Sequence, residues 1–76
     1  MVKISDQGGF HVFIYPREHG VAHVHVAGPD FSASVAIESA TILDGHIPSP
    51  HRRRALEWIT ENRDMLLTRW VEITGL

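Results

Sequence analysis

The sequence contains no cysteine, which excludes both a disulfide framework and a thiolate zinc site, the two staples on which small secreted folds usually depend. That absence favours the cytosol. There is no run of about 18 apolar residues of the kind a membrane span needs. The opening Met1-Val2-Lys3-Ile4-Ser5-Asp6 carries no apolar stretch after its lysine, so no signal peptide is expected. Charge is scarce as well. Charged residues make up 21% of the chain, and the net charge is −2 with histidine neutral. A generally basic nucleic-acid-binding surface is therefore excluded, although charge can still be concentrated locally. The expectation is a soluble, cytoplasmic protein with no membrane partner.

Hydrophobic residues account for 43% of the sequence, well inside the globular range. With 76 residues the chain has room for one domain, 1–76, which buries roughly 60% of the surface its unfolded form exposes. Phe10 to Tyr15 alternates, with Phe10, Val12 and Ile14 against His11, Phe13 and Tyr15, the period of a strand. Pro16 and Gly20 interrupt it, and Ala22 to Ala27 alternates again, which completes a hairpin. After the turn residues Gly28-Pro29-Asp30, a third strand sets Phe31, Ala33, Val35 and Ile37 against Ser32, Ser34, Ala36 and Glu38. Ala40 to Leu43 reads as a short fourth strand closed by Asp44-Gly45.

Ser49-Pro50 has the form of a helix start, with serine as cap and proline in the first turn. No glycine or proline follows until Gly75. Leu56, Ile59, Leu66, Trp70 and Ile73 then make an apolar stripe of helical period, and Gly75 stands where a capping glycine would. The predicted architecture is α+β: a three- to four-stranded antiparallel sheet packed on one long C-terminal helix. Its core joins the helix stripe to Phe10, Val12, Ile14, Val24, Val26, Phe31, Val35 and Ile37.

Four segments carry a resemblance. They are Glu18-His19-Gly20-Val21-Ala22-His23-Val24-His25-Val26, Ser32-Ala33-Ser34-Val35-Ala36-Ile37, Leu43-Asp44-Gly45-His46-Ile47-Pro48, and Ala55-Leu56-Glu57-Trp58-Ile59 with Trp70. Together they resemble the bacterial family called domain of unknown function 4160. That family's hallmark is an acidic residue and histidine, then two prolines, then His-aromatic-His. Here Val21 and Ala22 stand for the prolines and Val24 for the aromatic, with His19, His23 and His25 in place. The resemblance implies no assigned biochemistry. It implies a genetic setting, since members are often encoded beside a small protein of the domain of unknown function 2442 type, in an arrangement similar to toxin–antitoxin pairs.

Strand alternation puts His23 and His25 on one side, away from Val24 and Val26. If Phe13 faces His23, His11 faces His25 and three imidazoles share one open sheet face. His11, His23 and His25 are then candidates for general acid and base, or for ligands of Zn²⁺ or another divalent metal. The alternative is that they are the polar side of a half-buried sheet. No other cofactor is expected.

His51-Arg52-Arg53-Arg54 falls in the first helical turn, where the macrodipole disfavours cations. Free backbone N–H groups there suit an anion, so the four residues are candidates for gripping a phosphate of a nucleic acid, with a solvated charge run as the alternative. Arg63 lies on the apolar stripe, and either extends past the sheet or pairs with a carboxylate or ligand at its edge, which makes it a further catalytic candidate. Trp58 and Met65, seven residues apart, form a narrow outer apolar strip suited to a partner, either a second copy or a small cognate protein.

Two functions remain open on these residues. One is a protein-interaction module, a component of a toxin–antitoxin-like pair that also contacts nucleic acid. The other is a small enzyme, either a histidine-dependent RNase or a metal-dependent hydrolase.

Overall fold

A computed structural model describes residues 1–75. The elements follow in the order β1 (Val2–Asp6), β2 (His11–Ile14), β3 (His23–Ala27), β4 (Ser32–Ala36), β5 (Ile42–Gly45), α1 (Ser49–Glu61) and α2 (Arg63–Thr74). The five strands form one sheet in sequence order, each antiparallel to its neighbour.

Period-2 patterning decides the faces. Val12, Ile14, Val24, Val26, Ala33 and Val35 are buried on one side, and Ala55, Ile59, Leu66 and Trp70 of the helices complete the same core. Phe10, Ile37 and Ile47 join it from segments outside the strands. The α+β class is as the patterning predicts. The details differ in three places: the sheet has five strands rather than three or four, its last strand lies further along, and two helices stand where one was predicted.

β1 is the additional strand. Only Val2 and Ile4 carry its alternation, and as an edge strand it buries neither fully. A bulge between Lys3 and Ser5 blurs the pattern further. The last strand runs through Asp44 and Gly45 rather than ending before them, because Gly45 pairs with Ala33 across the ladder. The helix breaks at Asn62 without glycine or proline. There the backbone turns to φ −111°, and both the Asn62 amide N–H and its side-chain Nδ2 donate to the Trp58 carbonyl, at 3.0 and 2.8 Å. A polar side chain that competes for a helical carbonyl ends the helix locally. The cap of α1 is Pro48 rather than Ser49, and Gly75 takes the expected left-handed conformation after α2.

Gly45 also explains how β5 can pair so closely. Its φ is +74°, and a Cβ placed on it would run into the backbone of Ser32 and Ala33. Gly20 has a similar φ of +84° but open space around it. Gly20→Ala should therefore cost only the left-handed strain, about 1–2 kcal/mol, and Gly45→Ala distinctly more. Urea unfolding midpoints of the two variants measure the difference.

Candidate metal centre

The side of β3 facing away from the core presents His23 and His25, and the loop between β2 and β3 folds back to place Glu18 between them. Glu18 Oε1 lies 2.7 Å from His25 Nε2 and 3.6 Å from His23 Nε2. The two imidazole rings are 5.1 Å apart and nearly perpendicular. One ligand atom from each of Glu18, His23 and His25 falls within 4.8 Å of the others, and all three residues are half-buried.

The second nitrogen of each ring is also held. His23 Nδ1 is 2.8 Å from the Val21 carbonyl oxygen. That oxygen can only accept, so Nδ1 carries the proton and, in the neutral ring, Nε2 is a bare lone pair. His25 Nδ1 lies 3.4 Å from Ser34 Oγ, its cross-strand partner on β4. Around this group, the Tyr15 ring lies 4.3 Å from that of His25. The Trp70 ring of α2, mostly buried in the core, lies 5.0 Å from that of His23.

The hydrogen bond from His25 holds the Glu18 carboxyl below its usual range, with the nearby rings of His23 and His25 adding to the effect. A depressed carboxylate pKa contributes stability that is complete above its unfolded value and is lost as pH falls through the folded value. Asp6, which accepts a hydrogen bond from the Gly8 N–H, is shifted in the same direction. The protein should accordingly lose stability below the ordinary glutamate pKa of 4.5. Thermal melts between pH 7 and 3 should show a shallower acid limb for Glu18→Gln than for the parent, whereas an unchanged slope would mean that the Glu18 contact does not persist in solution.

His11 is a correction. The hairpin pairs Phe13 with His25 and His11 with Ala27, two residues away from the register that would set His11 opposite His25. The eight-residue connection between β2 and β3 is too long to fix the register as a tight turn does, and a slip of two keeps every side chain on its face. His11 instead sits 3.6 Å from Asp6, its partner on β1, with its ring 6.0 Å from that of Phe13. Glu18 takes the place expected for it.

The other candidates lie elsewhere. Arg63 opens α2 beside the Asn62 break and lines a shallow depression formed by Thr60 to Met65, in which no histidine takes part. The arginines at the start of α1 diverge. Arg52 Nε donates to the Ile47 carbonyl at 3.1 Å, Arg53 pairs with Glu57 at 2.9 Å, and Arg54 donates to the Gln7 carbonyl at 2.6 Å while lying over the Phe10 ring. His51 stacks on Phe31. Trp58 packs against the core rather than standing on an outer strip, and Met65 is exposed.

The model of a domain of unknown function, DUF4160, matches residues 9–71, a span that takes in Glu18, His23, His25 and Ser34. The chain belongs to the DUF4160 family. No curated protein and no solved structure matches it. No helix among the described residues of this DUF4160 chain is long and apolar enough to cross a membrane.

Two imidazoles and one carboxylate are the donor set of several catalytic zinc sites, which keep a further position open for water. Glu18 and Ser34 escape the periodicity that exposes the histidines, although Glu18 is the acidic residue of the segment that carries the family resemblance. Glu18 belongs to an aperiodic loop, and Ser34 looks like any small polar residue on the open side of a strand.

Proposed function

We propose that this protein is a small metal-dependent hydrolase whose divalent ion is held by Glu18, His23 and His25. One observation carries the reading: one ligand atom from each of Glu18, His23 and His25 lies within 4.8 Å of the others, and the Val21 carbonyl, 2.8 Å from His23 Nδ1, leaves His23 Nε2 facing Glu18 Oε1 at 3.6 Å. A divalent cation would take the place of the protons that otherwise bridge these nitrogens and the carboxylate. Held by these three protein ligands, an ion such as Zn²⁺ would leave a position for a water, would lower its pKa to about 7 and would so supply a nucleophile for an ester or phosphodiester. Tyr15, 38% exposed beside His25, offers a flat apolar wall for a substrate.

Calorimetric titration of the metal-free protein with Zn²⁺, followed by assays on RNA and on nitrophenyl phosphodiesters, tests this. The expected result is one equivalent bound at micromolar or tighter affinity, with hydrolysis that depends on the ion. Binding without turnover on any of these substrates overturns the hydrolase. RNA cleavage without bound metal favours acid–base catalysis by the His25–Glu18 pair instead.

A second reading is favoured by a separate observation. Among the described residues β1 and β5 are the edge strands of the sheet, with no further strand beside them, and β5 exposes Leu43, an arrangement that invites strand addition by another chain. We propose on that basis an interaction module, one component of a toxin–antitoxin-like pair, that takes a small cognate protein at an edge or at Met65. Arg53, its side chain 91% exposed, would meet nucleic acid at the start of α1. Leu43→Lys and Met65→Glu should weaken association with the genetic neighbour while the circular dichroism spectrum stays unchanged. Unaltered co-sedimentation of both variants would rule out these two surfaces.

A further inference from the structure

The histidines differ in what holds their second nitrogen, and the difference has a chemical consequence. His23 is fixed in one tautomer by a backbone carbonyl. His25 is not. Its Nε2 lies 2.7 Å from Glu18 Oε1, and an ionised carboxylate only accepts hydrogen bonds, so in the metal-free protein the proton of the neutral ring sits on Nε2. Nδ1 is then bare and faces the Ser34 hydroxyl at 3.4 Å. A metal ion at the centre needs the Nε2 lone pair, and the proton has to leave that nitrogen.

We propose that Ser34 is a positioning residue for the metal centre: its hydroxyl accepts the Nδ1 proton of His25 when an ion takes Nε2, so that loading the site switches His25 from one tautomer to the other. This rests on the metal-centre reading above. A hydroxyl is both donor and acceptor and rotates to suit. Ser34 donates to the bare Nδ1 of the metal-free ring and accepts from Nδ1–H of the loaded one. The proton balance closes within the ring. One proton leaves Nε2 for solvent, one arrives at Nδ1, the imidazole is neutral before and after, and Glu18 stays ionised throughout.

Placement supports the assignment. Ser34 stands directly opposite His25 across the β3–β4 ladder, so the backbone spacing of two paired strands sets the separation of the two side chains. Both residues are half-buried, which limits competition from bulk water for the same nitrogen. The Val21 carbonyl serves the same end at His23 without a switch, because it can accept from Nδ1–H in either state.

The test combines imidazole ¹⁵N NMR near pH 8, where histidine is mostly neutral, with Zn²⁺ calorimetry on the full chain. The metal-free spectrum should show His23 as the Nδ1–H tautomer and His25 as Nε2–H, with His25 moving to Nδ1–H when Zn²⁺ is added. Ser34→Ala should weaken Zn²⁺ binding by roughly 10–100-fold, the usual cost of losing the partner of a ligating histidine. Ser34→Thr, which keeps the hydroxyl and suits a strand, should restore most of it. Failure of the parent protein to take up Zn²⁺ overturns the metal reading and this inference with it. Uptake by the parent with less than a twofold change in Ser34→Ala, or a His25 that is already Nδ1–H without metal, overturns this inference alone.

Discussion

Replacing Glu18 with alanine should lower Zn²⁺ affinity by more than about 100-fold, beyond the 10–100-fold that losing an outer hydrogen-bond partner costs, while His11→Ala should leave it unchanged. The contrast follows from geometry. Glu18 Oε1 approaches Nε2 of both His23 and His25, and its removal leaves two neutral donors and no anionic one. His11 shares the outer sheet face but pairs with Asp6 and contributes no atom to the three-residue group. Trp70 supplies an internal probe, since its ring lies 5.0 Å from that of His23. In a Trp58→Phe background excited beyond the tyrosine absorption band the emission comes from Trp70, and Co²⁺ titration should quench it at one equivalent in the parent and not in Glu18→Ala. Equal Co²⁺ quenching in the two proteins would remove Glu18 from the centre, and loss of quenching in His11→Ala would mean that the hairpin pairs two residues away from the register described above.

That contrast also locates the limit of what the amino-acid sequence could reveal. Alternation in β3 puts His23 and His25 on one face, so their convergence was legible from spacing alone, although the same alternation sets Ala36 on the polar side of β4 and that residue is buried. Register was not, because a slip of two residues leaves all faces intact and only a tight turn would have excluded it. The loop that allowed the slip also carries Glu18, whose position depends on how eight residues fold back over the sheet and not on any period. Ile47 was hidden for a similar reason. It is fully buried, yet it stands in the short connection between β5 and α1, where no repeat marks it as core. Asn62 hides in the opposite way, since it interrupts a stripe of perfectly good helical period with a side-chain hydrogen bond that only the three-dimensional arrangement displays.

Trp70 ties this fold to its site, and removing it should produce the largest loss of stability of any change considered. Trp70 is mostly buried in the helix–sheet core, and truncation of a buried tryptophan to alanine costs about 3–5 kcal/mol, from lost burial and from the cavity left behind. A 76-residue chain has a total stability of roughly 4–11 kcal/mol, at about 0.05–0.15 kcal/mol per residue. Trp70→Ala therefore consumes a large share of it. With about 4–8 °C of melting temperature for each kcal/mol in a domain of this size, the expected drop is roughly 12–40 °C. A saturating ion offers a finer test, because a ligand at 100 times its Kd stabilises the folded state by about 2.7 kcal/mol. If the Trp70 ring only fills the core, parent and Trp70→Ala should share one Kd, so that Zn²⁺ at about 100 times that value stabilises both by the same free energy. If the ring also holds His23 in place, Trp70→Ala should bind Zn²⁺ more weakly than the parent, while Leu66→Ala, an equally buried core change on the same helix, should not. A melting temperature for Trp70→Ala within a few degrees of the parent would show that α2 is not part of the cooperative core, and matched affinities in Trp70→Ala and Leu66→Ala would reduce the Trp70–His23 contact to packing.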